Sequence, residues 1–90
     1  MSDIDKAFGN AVKARRLQLG LSQESLAFRA GLHRTYISDL ERGLKGPTLR
    51  VVMRLAYALD ISAPDIVQMT EDHALKPNSL SALDEHNDAS

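Results

Sequence analysis

Apolar side chains recur along the first twenty residues at Phe8, Val12 and Leu19, with Arg15 and Arg16 at the same helical spacing and Gly20 placed as a C-terminal stop. That pattern predicts a first helix from about Ile4 to Leu19. Ser22 stands as an N-cap ahead of QESLAFRA, a second helix ended by Gly31. LHRTYISDLER reads as a third helix, stopped by Gly43. Thr48 opens a fourth, LRVVMRLAYAL. Ser62 opens a fifth, APDIVQM, with Asp65 as the acidic half of a capping box and Pro64 in the first turn, where a missing N–H costs nothing. No stretch alternates with period two, so the expected fold class is all-α, a compact domain of five helices. From Glu71 the text becomes polar and acidic, EDHALKPNSLSALDEHNDAS. The chain therefore divides into a helical domain over 1–70 and a tail over 71–90 that is expected to be disordered, since Leu80 and Leu83 are too few to make a core.

Helices two and three are joined by very little, and the chain has to reverse between them. Ala27 supplies the small residue that a steep crossing needs, and Gly31 permits a positive φ at little steric cost. Leu26, Ala30, Leu32, Ile37 and Leu40 fall where the angle between the helices must be filled. Together these positions spell a helix-turn-helix. At about 100° per residue from Ile37, Leu40 and Leu44 belong to the buried side, while Thr35, Ser38, Asp39 and Arg42 lie roughly opposite. Arg34 flanks the amino-terminal end. Arg34 suits guanine O6 and N7, Thr35 and Ser38 are short enough to meet bases or a thymine methyl, and Asp39 can accept from cytosine. These four are the candidate base-reading residues. Tyr36 is partly turned back, which leaves it open between packing and a contact with DNA. His33, at the N-cap position, tunes the helix start and is not expected to bind a metal. Glu41 falls only about 40° from Ile37, so it must point inward, and a carboxylate there needs a partner.

Composition narrows the function classes. With 43% hydrophobic and 26% charged residues the chain is globular, and 90 residues make one domain of modest core. It contains no cysteine, which excludes disulfides and thiolate zinc sites and fits a cytoplasmic protein. No apolar run approaches the roughly 20 residues of a membrane span, and MSDIDKAFGN does not read as a secretory signal. Residues 13–54 carry nine Lys or Arg against three acids, a local charge of +6 hidden inside a net charge of −1. A phosphate backbone feels the local face, not the sum. There is no Ser/His/Asp grouping, metal-ligand cluster or phosphate-cradling glycine loop. No enzyme activity, cofactor, metal or small-molecule ligand is expected.

The stretch LSQESLAFRAGLHRTYISDLERG resembles the helix-turn-helix of the Xre family, the lambdoid phage repressor and Cro class. RTYISDLERG is similar to the small controller proteins of restriction–modification systems. The resemblance spans about residues 6–70. It implies a lambda-repressor-like domain and a sequence-specific transcriptional regulator, binding a pseudo-palindromic operator through the major groove of double-stranded DNA as a homodimer. It also implies that Glu41 pairs with Arg16 on the first helix. Gln23 opens the second helix, where exposed N–H groups favour an anion. The resemblance gives it a phosphate contact and the task of bracing the first residue of the recognition helix. Arg42 and Lys45, followed by Tyr36 and Arg29, complete the expected phosphate contacts. Gly46 stands where relatives often carry asparagine, which removes that side chain from the backbone contacts.

The fourth helix is apolar over roughly 220° of its circumference, whereas one domain core uses about 100°. The surplus predicts a two-fold interface through Val51, Leu55, Ala58, Ile61, Ile66 and Met69. The alternative is that the fifth helix covers it within one chain. Two copies would place two recognition helices on half-sites one helical turn apart. The sequence does not separate a restriction–modification controller from a prophage-type repressor or an antitoxin that represses its own operon. It also leaves open a coactivator-like protein-interaction module that keeps the fold without the DNA.

Overall fold

The computed structural model describes residues 3–74, and among them it contains five helices and no strand. They are α1 (Asp3–Gln18), α2 (Gln23–Ala30), α3 (Arg34–Glu41), α4 (Leu49–Ala58) and α5 (Ala63–Ala74). Hydroxyls set three of the starts. Ser22 Oγ accepts from the Ser25 N–H at 3.0 Å, Thr48 Oγ1 from Val51 at 3.2 Å, and Ser62 Oγ from Asp65 at 3.2 Å. Each satisfies a donor that the helix itself leaves without an acceptor.

Gly31 ends α2 in the left-handed region at φ 69°, with its own N–H on Phe28 O and the Leu32 N–H on Ala27 O. That reversal lets α3 start within three residues and cross α2, with Ala27 and Ala30 buried in the angle. α1 packs on α5 and α3, α2 on α3 and α4, and α4 on α5. Phe8, Val12, Leu26, Ile37, Leu40, Leu55, Leu59 and Ile66 form the core between them.

α1 and α3 approach so closely that Gly9 has no room for a side chain. A Cβ there would collide with Leu40 O and stand 2.8 Å from Glu41 O, both backbone atoms. Gly9→Ala is therefore expected to cost about 1–3 kcal/mol through overpacking, although alanine is the better helix former. A urea denaturation midpoint at or above that of the parent would show that α1 can slide off α3.

Three expectations from the pattern need correcting. Leu44 is 47% exposed, because α3 ends at Glu41 and a helical wheel has no meaning beyond its last turn. Leu55 and Ile66 are fully buried and Ala58 nearly so, all within one chain, and none of the three is available to a second copy. The inward part of the apolar arc of α4 holds Leu55, Ala58 and Leu59. Its outward apolar stripe is Leu49, Met53 and Tyr57. Finally, Glu71 does not begin the tail. α5 continues through Ala74, with Thr70 buried and its Oγ1 donating to Ile66 O at 2.9 Å. The remainder of the tail, with Leu80 and Leu83, lies outside the described residues.

Candidate nucleic-acid interface

α3 has two unlike sides. Ile37 and Leu40 are completely buried, whereas Arg34 and Thr35 are exposed at its amino-terminal end and Ser38 is half-exposed one turn on. His33 occupies the N-cap without a side-chain hydrogen bond. The first turn of α3 thus presents short polar groups beside one long guanidinium.

What holds that helix in place is a buried polar clamp. Arg16 Nε donates to Glu41 Oε2 at 2.7 Å and Nη2 to Glu41 Oε1 at 2.9 Å, a bidentate pair with side chains 9% and 3% exposed. Arg16 Nη1 donates to Leu21 O at 2.9 Å. Gln23 Nε2 adds a third bond to Glu41, on Oε1 at 3.1 Å. One carboxylate therefore ties α1, the start of α2 and the last residue of α3 together. The hydrogen bond to Glu41 raises the Arg16 pKa above its already high ordinary value, and burial opposes it. Among the described residues no buried side-chain polar atom is left without a partner. The side-chain bond that Gln23 makes runs to Glu41, so its expected bracing of the recognition helix acts at that helix's last residue and not its first.

The remaining expected phosphate contacts separate into two groups. Arg42 and Lys45 lie with Asp39 at the carboxyl end of α3, and Lys45 also reaches Tyr36 in the first turn. Arg42 Nη2 is 3.0 Å from Asp39 Oδ1, Lys45 Nζ is 3.7 Å from Asp39 Oδ2, and the same ammonium stands 5.4 Å from the centre of the Tyr36 ring. Tyr36 packs half-buried against the core, and that burial pushes its phenol pKa up. Arg29 does not join them. Its Nη1 donates to Ala58 O at 3.1 Å, at the carboxyl end of α4.

Arg15 ends on the same helix terminus, with Nε on Leu59 O and Nη2 on Asp60 O, both at 3.0 Å. Two arginines from different helices thus satisfy carbonyls that α4 leaves open, where its dipole favours positive charge. Sequence reasoning missed this role. A signal was present, because Arg15 shares the helical spacing of Phe8, Val12 and Leu19, and a cation on an apolar stripe implies an internal acceptor. Arg16 is buried and Arg15 half-buried, whereas Arg29 stays exposed beside its bond to Ala58 O, so the exposed cations of residues 13–54 are Lys13, Arg29, Arg34, Arg42, Lys45, Arg50 and Arg54. Among the described residues there is no cluster able to hold a metal, and no helix is long and apolar enough to cross a membrane.

Residues 12–66, well over half of the chain, match the family model described as helix-turn-helix. The chain belongs to that Xre-like helix-turn-helix family. The control protein C.BamHI of Bacillus amyloliquefaciens is 40% identical over 70 residues, covering 77% of this chain and 86% of its own length. The control protein C.SmaI of Serratia marcescens is 42% identical over 65 residues, 72% of this chain and 77% of the relative. Solved helix-turn-helix structures agree in fold. The restriction–modification controller C.AhdI from Aeromonas hydrophila superposes with a TM-score of 0.67 at 40% identity, over 69% of this chain and 94% of its own. The controller C.Esp1396I, crystallised as a tetramer with its natural 35 base-pair operator, gives 0.78 at 30% identity, over 84% of this chain and all of its own.

Proposed function

We propose that this helix-turn-helix protein is a sequence-specific DNA-binding transcriptional regulator of the controller type, acting in the bacterial cytoplasm as a homodimer on a pseudo-palindromic operator, as a binder and not a catalyst. The observation that carries this reading is the two-sided α3: a first turn of Arg34 and Thr35 open to solvent on a helix whose other side is fully buried and whose end is clamped. Arg34 donates to guanine O6 and N7, and Thr35 and Ser38 meet neighbouring base edges. Arg42, Lys45 and Gln23 position the phosphate backbone on either side of them. Kinship with control proteins and the operator complex of C.Esp1396I support the same reading.

The interface between copies is assigned to the apolar surface that the fold leaves open. Leu49 and Met53 on α4 carry it, with Val67 of α5 also exposed and Val51, Ile61 and Met69 partly exposed.

Selection of bound duplexes from a random pool, followed by titration of the selected duplex, tests the function. A dimer making about 6–10 phosphate contacts loses about 10³–10⁵ in affinity between 50 and 200 mM salt. Arg34→Ala is expected to cost about 1–3 kcal/mol on the selected duplex and to relax the preference at one base pair. An equal loss on random DNA would contradict base reading by Arg34, and an unenriched pool would remove the regulator reading altogether.

A further inference from the structure

Asp39 lies on the outward side of α3, yet its carboxylate already has a cation against each oxygen. Oδ1 accepts from Arg42 Nη2 at 3.0 Å and Oδ2 faces Lys45 Nζ at 3.7 Å. The Arg42 and Lys45 side chains are 63% and 52% exposed, whereas that of Asp39 is 21% exposed. The carboxylate therefore sits beneath two cations that reach past it into solvent. A side chain that reads a cytosine amino group needs an oxygen aimed at the groove, and this one is hydrogen-bonded to Arg42 through Oδ1 and drawn towards Lys45 through Oδ2.

We propose that Asp39 is a positioning residue that sets specificity through Arg42 and Lys45. It holds the two cations at the carboxyl end of α3 and offsets their charge, so that a phosphate claims them only when the duplex is seated on the reading turn. The inference rests on the DNA-binding reading above. On random DNA affinity is almost entirely electrostatic, and cations already paired with a carboxylate release fewer counterions from the duplex. On the operator, base contacts through Arg34, Thr35 and Ser38 fix the phosphates close enough to draw both cations across. The strengths permit such a transfer, since an exposed ion pair changes an equilibrium by less than about a factor of ten and yields to a well-placed phosphate. Tyr36 supplies the second rest for Lys45, its ring lying under the ammonium.

The experiment uses Asp39→Asn in the full chain, titrated against a labelled random-sequence duplex and against a duplex selected by the parent protein, from about 50 to 200 mM salt. The substituted protein is expected to bind random duplex roughly three- to tenfold more tightly at the lowest salt, with a steeper salt dependence. The gain on the selected duplex is smaller, so the ratio of the two affinities falls while the preferred base at every position stays the same. Combined with Arg42→Gln and Lys45→Gln, the substitution gives no gain. Asp72→Asn, an equal charge change on α5, gives none either. A gain that survives loss of both cations, or is matched by Asp72→Asn, would reduce the effect to bulk charge and overturn the proposal. So would a lost preference at one base pair with unchanged affinity for random duplex, which would make Asp39 a base reader. If the parent protein binds no duplex in a salt-dependent way, the regulator reading itself fails, and that result is separable from an unchanged Asp39→Asn beside a parent that binds.

Discussion

Glu41→Ala is expected to lower the free energy of unfolding by about 3–5 kcal/mol, because it leaves the Arg16 guanidinium buried without its counter-charge. Gln23 Nε2 loses its acceptor in the same step. A domain of this size has roughly 5–15 kcal/mol in total, so such a loss lowers its melting temperature by about 15 °C or more. Urea denaturation followed by helical circular dichroism measures it. Replacing both partners, Arg16→Met with Glu41→Leu, should cost clearly less than the sum of the single losses, since no uncompensated charge remains. Leu21 O and Gln23 still lose a partner each, which keeps the double variant below the parent. The raised Arg16 pKa places any loss from its deprotonation above the ordinary arginine range, so alkaline conditions short of that leave the guanidinium charged. A cost under about 1 kcal/mol for Glu41→Ala would mean that apolar packing alone holds the recognition helix.

Met53→Glu is expected to convert the proposed homodimer into a folded monomer. Met53 is 55% exposed on the stripe of α4 that the chain's own core does not cover, so the glutamate stays solvated in one copy and is desolvated only between two. Sedimentation should report half the parent mass with an unchanged melting profile. Affinity for the selected duplex should fall by about 5–7 kcal/mol, half of what specific binding near 10⁻⁸–10⁻¹¹ M represents, because one recognition helix is lost with the partner. Leu55→Glu, only two residues away and about 200° round the same helix but fully buried, should instead unfold the domain. If Met53→Glu keeps the parent mass, the stripe is not the interface.

The contrast between Met53 and Leu55 shows where the sequence stops being readable. Both belong to one apolar arc of α4, and its width announces that the helix has more apolar surface than one core uses. Which half faces α2 and α5 depends on the turn at Gly43 to Thr48 and on how α4 meets those neighbours, and no spacing within the helix encodes that. Arg15 and Arg29 fail for the same reason. As isolated residues they are two cations among nine, and only the arrival of the α4 terminus at both makes them caps. The wheel places Asp39 outward as a candidate base reader, but Lys45, whose ammonium stands 3.7 Å from its Oδ2, lies beyond the end of the helix and off the wheel. The inward direction of Glu41 was legible from its angle to Ile37. Its pairing with Arg16 came from family resemblance, since 25 residues separate the two.

The sequence by itself determined the five helices, their hydroxyl caps, the reversal at Gly31 and the polar side of α3, because each is a matter of neighbours within a few residues along the chain. Only the tertiary structure decided which arginines are spent internally, which side of α4 the chain's own core leaves uncovered, and that Asp39 lies under its own cations. Those depend on groups brought together from distant parts of the chain, whose burial and charge are set by surroundings that no local pattern contains.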